Sequence, residues 1–202
     1  MNYLAVDTSG KALNLIIKKD DKIFSYNDLE CGVRHSEKIM VEIENLLNKA
    51  EFNLKDADFI ACVVGAGSFT GIRIGVATVK ALCFSLGVKA LSVTSFDSLA
   101  YNKKGGKILA VIDAGHNGFY VAGYSEQELI LEPKYILKDE LVELSKEYLL
   151  VSENKIEGLE VEIVSVKEGL PIAIEELKEN AKSDLDKLEP LYVRKSQAEE
   201  GR

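Results

Sequence analysis

Hydrophobic and polar positions along this chain follow two rhythms. Residues 3–7 (YLAVD) make a short apolar run that ends in Asp and meets the turn-prone TSGK, the pattern of a buried strand. ALNLIIKK (12–19) and KIFSYND (22–28), separated by Asp20 and Asp21, predict a hairpin added to that strand. From Ser36 to Ala50 the rhythm changes. Ile39, Met40, Ile43, Leu46, Leu47 and Ala50 recur at helical spacing, with Lys38, Glu42 and Glu44 on other faces, so an amphipathic helix is predicted, with Ser36 as its N-cap. A strand-like run over 58–64 leads through GAGSFTG into a helix over 72–86, then a short strand over 88–93 and a capped helix over 94–101.

The second half starts with KILAVIDAGHNGFYVAGYS (107–125), in which LAVID ends at Asp113 much as LAVD ends at Asp7. Further on, an acidic helix near 138–147, strands near 148–152 and 160–166, a helix near 171–182 and a strand-like PLYVR tail are expected. The order of three strands, helix, strand, helix thus occurs roughly twice. That repetition predicts a duplicated α/β architecture, divided into residues 1–103 and 104–202.

Composition narrows the function classes. The 202 residues carry 25 Lys and Arg against 33 Asp and Glu, a net charge of −8. Residues 1–100 are nearly balanced, with 11 positive and 12 negative groups, and the acidity belongs to the second half. An acidic balance argues against unaided nucleic-acid binding. No clean apolar run reaches the about 18 to 20 residues of a membrane helix, and MNYLAVDTSG has no basic region followed by an apolar one, so a cytoplasmic protein is expected. Cys31, Cys62 and Cys83 are odd in number and lack CxxC pairing, which predicts buried free thiols.

The most specific local feature is GAGSFTGIRIG, Gly65–Gly75, placed between a strand and a helix. Gly65, Gly67 and Gly71 permit positive φ and close approach, and Ser68 or Thr70 can cap the helix. The loop lacks the Gly-Lys-Ser/Thr of a Walker A motif and the spacing of a dinucleotide fingerprint. It reads either as a tight structural turn or as a loop that cradles phosphate. Asp7, Thr8 and Ser9 present the same choice between a turn and a phosphate or hydrated-metal site, as does Asp113. The helix over 72–86 is charged only at Arg73 and Lys80 and wants cover nearly all round, either inside this chain or against another subunit. His35 and His116 are the only histidines, neither with a second His at helical clamp spacing, and no GxSxG elbow or catalytic-cysteine context is present.

DTS after the first strand, HSE at the first helix, GAGSFTGIRIG, VIDAGHNGFYVAGY and the late PLYVRKSQAE together resemble the TsaB (YeaZ) family, in order from about residue 3 to residue 198. The resemblance implies an actin/sugar-kinase/Hsp70-like (ribonuclease H-like) duplicated fold with the second half reduced. It also implies a non-catalytic dimerisation subunit in the formation of threonylcarbamoyladenosine next to the tRNA anticodon, which supports a TsaD-like catalytic subunit alongside a TsaE-like ATPase. No resident cofactor or metal is implied, since the family member lacks the HxxxH of TsaD. A weakly held nucleotide at Asp7, Thr8, Ser9, Gly65, Gly67, Ser68, Thr70, Gly71 and Asp113 is a remnant to be tested, ATP being used by the wider system. The helices over 36–50 and 72–86 are expected to supply a homodimer or heterodimer bundle through Met40, Ile43, Leu47, Gly75, Thr78, Val79 and Leu82, with tRNA met through the complex. The sequence departs from the family at Ala66, commonly Pro, and at Asp113-Ala114-Gly115-His116, where DAR is usual. The alternative is an autonomous nucleotide-binding ATPase or kinase using Asp7, the Gly65–Gly71 loop and Asp113. A protease would need a nucleophile or metal that the sequence does not offer.

Overall fold

The computed structural model describes residues 1–194, and the chain forms two units. Met1–Val93 and Leu177–Leu191 make the first; Thr94–Glu176 and the chain from residue 192 on make the second. The division expected at 103/104 therefore falls elsewhere, for two local reasons. The short helix after Val93 packs on a strand of the second unit, and residues 177–191 return to the first.

In the first unit, β1 (Tyr3–Asp7), β2 (Leu13–Lys19), β3 (Lys22–Asp28), β4 (Phe59–Val63) and β5 (Lys89–Val93) form one sheet in the order β3-β2-β1-β4-β5. The β1–β2–β3 meander is antiparallel, whereas β4 and β5 run parallel to β1. Asp20 and Asp21 both take left-handed φ, which gives the tight two-residue turn that the β2–β3 hairpin needs. All of β1 and β4 is buried, as parallel strands covered on both faces must be. Helices α1 (His35–Ala50) and α2 (Phe69–Leu86) seal one core with Leu4, Val6, Leu15, Ile17, Ile60 and Cys62. The returning segment completes it: Lys182 bridges Ala90, Leu191 N–H donates to Val64 O at 2.7 Å, and Leu188 is buried in the cluster.

The second unit contains α3 (Ser95–Ala100), β6 (Lys107–Gly115), β7 (Gly118–Ser125), β8 (Glu128–Leu137), α4 (Lys138–Leu144), β9 (Leu149–Ser152), β10 (Glu162–Ile163) and α5 (Val166–Leu177). Its sheet runs β10-β9-β6-β7-β8, the same third-second-first-fourth-fifth order as the first sheet. Between β9 and β10, where the first unit carries the 18-residue α2, residues 153–161 form no helix, and β10 is only two residues long. The expected duplication and the expected reduction of the second half are both present.

Several elements differ from the sequence reading. β8, for which no strand was expected, runs through Pro133; the proline is tolerated because β8 is an edge strand and the pairing with β7 shifts register beside it. Helix α5 begins five residues before Pro171, and burial of Val166, Leu170, Ala173 and Ile174 outweighs the lost backbone donor. PLYVR forms no strand over residues 190–194, and the rest of that motif, from residue 195, lies outside the described residues. Helix α1 starts at His35, so Ser36 lies inside it and caps nothing. Helix α2, with its glycines and alanines, is long and apolar enough by length and composition to cross a bilayer, contrary to the expectation of no such stretch, and here one face of it lies in the first core.

Candidate functional site

The turn after β1 and the glycine-rich loop before α2 meet in the first unit, and the atoms that could serve a ligand serve each other. Asp7, buried at the end of β1, accepts the Ser9 N–H at 2.9 Å and the Ser9 hydroxyl at 2.7 Å on one oxygen. Its other oxygen accepts Asn14 Nδ2 at 3.1 Å, and Asn14 Oδ1 in turn accepts from Asn27. Buried carboxylates persist when hydrogen-bonded in this way. Thr8 Oγ1 donates to Gly71 O at 2.7 Å, and Ser68 N–H donates to Ser9 O at 2.7 Å. Ser68 is the N-cap of α2, its hydroxyl accepting the Gly71 N–H at 3.2 Å, and Thr70 is exposed on the first turn.

The glycines are explained by this closure. Gly65 and Gly67 hold φ of +123° and +152°, which side-chain-bearing residues rarely adopt. A methyl group added at Gly67 would strike the Ser9 carbonyl, at Gly71 the Thr8 carbonyl, at Gly75 the Thr8 hydroxyl, and at Gly65 the Leu191 carbonyl. Loop and turn are thus pressed together at Gly67 and Gly71. The structure brings Asp7, Thr8, Ser9, Gly65, Gly67, Ser68 and Gly71 into one cluster. Asp113 belongs to the second unit, where it is exposed and accepts the Gly115 N–H at 2.7 Å. Asn14 and Asn27, opposite each other in the β2–β3 register, are the members that sequence reasoning missed. Their signal was two amides at matched hairpin positions beside Asp7.

Most of the remaining candidate chemistry is also turned inward, His116 being exposed in the turn between β6 and β7. His35 is buried, with Nε2 3.1 Å from Ala12 O. All three cysteines are free and buried; burial pushes the Cys83 thiol up to about 11 and the Cys62 thiol further in the same direction. In the second unit, Thr94 and Asp97 form a reciprocal capping box on α3, and Tyr124 donates to Asp97 at 2.8 Å; burial raises that phenol above its ordinary value. Among the described residues, no group of three His, Cys, Asp or Glu side chains could hold a metal.

The helix faces divide sharply. Ile43 and Val79, expected at a partner interface, lie in the first core, and Gly75 is packed against Thr8; all three positions face inward. Of the other expected positions, Leu47, Thr78 and Leu82 are half-buried and Met40 is 50% exposed. The outward stripe of α2 is instead Arg73, Ala77, Ala81 and Phe84, with Phe84 83% exposed. On α1 the outward apolar groups are Met40 and Val41, and Val33 just before the helix is 96% exposed. The Arg73 guanidinium lies 3.9 Å from the centre of the Phe69 ring.

Comparison with known proteins joins this geometry to a family. Residues 30–167 match the TsaD family, tRNA N6-adenosine threonylcarbamoyltransferase. The chain is 27% identical to the tRNA threonylcarbamoyladenosine biosynthesis protein TsaB of Escherichia coli, over 98% of this chain and 96% of that protein. It is 31% identical to the Bacillus subtilis protein of the same name, over 65% of this chain and 58% of that protein. A crystal structure of a Pseudomonas aeruginosa protein similar to peptidase YeaZ superposes with a TM-score of 0.76 at 22% identity, covering 96% of this chain and 99% of that one, and so shows the same fold. With its two like-ordered sheets, its duplicated α/β fold and its glycine-rich loop before α2, the chain belongs to the TsaD family and, within it, to the TsaB (YeaZ) family.

Proposed function

We propose that the chain is an accessory, non-catalytic subunit in tRNA threonylcarbamoyladenosine formation, which docks on a TsaD-like catalytic subunit and supports transfer of the threonylcarbamoyl group by that partner. The observation that carries this reading is α2, which is apolar on two opposed faces. Ile72, Val76, Val79 and Cys83 fill the core, while Ala77, Ala81 and Phe84 are left to solvent, as are Met40 and Val41 of α1, a helix in contact with α2. Exposed apolar groups on adjacent elements mark contact surfaces, and small residues such as Ala77 and Ala81 let a second helix come close. The Asp7 cluster supports the same reading, because its polar atoms are spent on holding the turn and loop together. The name of the Escherichia coli relative supplies the pathway. The same face serves self-association when the partner is absent. A TsaE-like ATPase completes the system, and tRNA is held by the assembled complex, in keeping with the chain's charge of −8.

Sedimentation velocity of the chain mixed with the same organism's TsaD-family protein tests the proposal. A heterocomplex at micromolar concentrations is expected, together with threonylcarbamoylation of tRNA by the mixture that the partner alone does not reach. Two species sedimenting independently would overturn it.

A further inference from the structure

We propose that Thr8 is a positioning residue that sets the seat of α2, and with it the docking stripe on the far side of that helix. This inference rests on the docking reading above. Thr8 reaches α2 at two successive turns of one face: its hydroxyl donates to the Gly71 carbonyl, and the same oxygen lies where a methyl group at Gly75 would have to sit. The Thr8 carbonyl likewise blocks a methyl group at Gly71. At 100° per residue, positions 71 and 75 lie opposite 73, 77, 80 and 84, so the clamp and the outward stripe of Arg73, Ala77 and Phe84 share one helix at opposed faces. Thr8 is itself fixed, being fully buried between Asp7 and Ser9, whose side chains bond each other. A helix pressed onto an immovable side chain in a close-packed interior cannot take added volume on that face without moving outward or turning. Either motion displaces Phe84 and Ala77 and spoils their fit to a partner.

The geometry also specifies a rescue. A methyl group at Gly75 would be 3.7 Å from Thr8 Cβ, an ordinary contact, so only the Thr8 hydroxyl is in its way. Gly75→Ala is therefore expected to weaken binding of the TsaD-family protein at least tenfold, and Thr8→Ala/Gly75→Ala to restore it to the level of Thr8→Ala alone. Hydrogen exchange of the isolated chain reads the clamp without any partner: amides over 69–79 should exchange faster in Gly75→Ala and recover in the double variant. If the parent chain itself does not bind the partner, the docking reading fails, and the exchange data alone judge the clamp. Gly75→Ala binding like the parent, or a folded double variant as weak as Gly75→Ala, would overturn the proposal. Should Gly75→Ala fail to fold, a folded double variant that binds like Thr8→Ala supports the clamp, and an unfolded one overturns it.

Discussion

At the scale of single residues, the first unit is held by groups that the sequence leaves open between a structural turn and a ligand site. Asp7 at the end of a strand, followed by Thr-Ser, reads as a turn or as a phosphate or metal site, and in the fold its carboxylate accepts three hydrogen bonds from Ser9 and Asn14. Asp7→Ala leaves those donors buried without an acceptor. It should lower stability by about 2–4 kcal/mol in denaturant titrations, and magnesium-ATP should not restore the loss. What the sequence carried here was part of the cluster's membership, without Asn14 and Asn27; what it did not carry was that Thr8 and Ser9 would press against Gly71, Gly75 and Gly67, since that depends on β1 and α2 meeting in space. Cys83 gives a second measurable consequence. Its thiol rises from 9.0 to about 11 in the folded state. With the folded value above the unfolded one, the thiol's contribution is fully present below pH 9 and is lost as pH rises through 11. Unfolding followed between pH 8 and 11 should show this loss, made larger by Cys62, whose thiol shifts the same way, and smaller in Cys83→Ala.

At the scale of elements, periodicity located α1 and α2 but could not orient α2. Apolar or small residues occur all round that helix, so pattern alone does not distinguish Val79, fully buried, from Phe84, 83% exposed. Only contact with β4 and Thr8 assigns the faces. Substituting Asp at each position separates core from interface. Val79→Asp buries an unpaired charge and should cost more than 4 kcal/mol, enough to unfold the chain. Phe84→Asp should leave the thermal midpoint nearly unchanged while weakening partner association at least tenfold in sedimentation. Equal loss of folding in both variants would refute the assignment of faces. Strand β8 was illegible for the opposite reason. Pro133 interrupts the alternation that announces a strand, and only the edge position and the register shift with β7 make it acceptable.

At the scale of the whole molecule, the repeat visible in LAVD and LAVID becomes two sheets with one strand order. The repeat of elements along the chain was legible because the apolar runs YLAVD and LAVID each end in Asp and each precede a further strand-like run, whereas the strand order within the sheets follows only from the pairing. The route of the chain after α5 was not legible, because Leu185, Leu188 and Leu191, although three apart, stand among charged residues and Pro190 in a run too short to announce an element. They belong to the first unit, although 83 residues of the second, Thr94–Glu176, precede them. The segment acts as a strap over β5 and the end of β4. Lys182 bridges Ala90, Leu188 fills the core, and Leu191 satisfies the Val64 carbonyl just before the glycine-rich loop. Leu188→Ala should therefore cost about 2–5 kcal/mol through the lost contacts and the cavity left behind. The loss should appear in the unit that is distant in sequence. Hydrogen exchange is expected to quicken in β4 and β5 while amides of β6 and β7 keep their protection, whereas faster exchange confined to residues 94–176 would show that the strap stabilises the second unit instead.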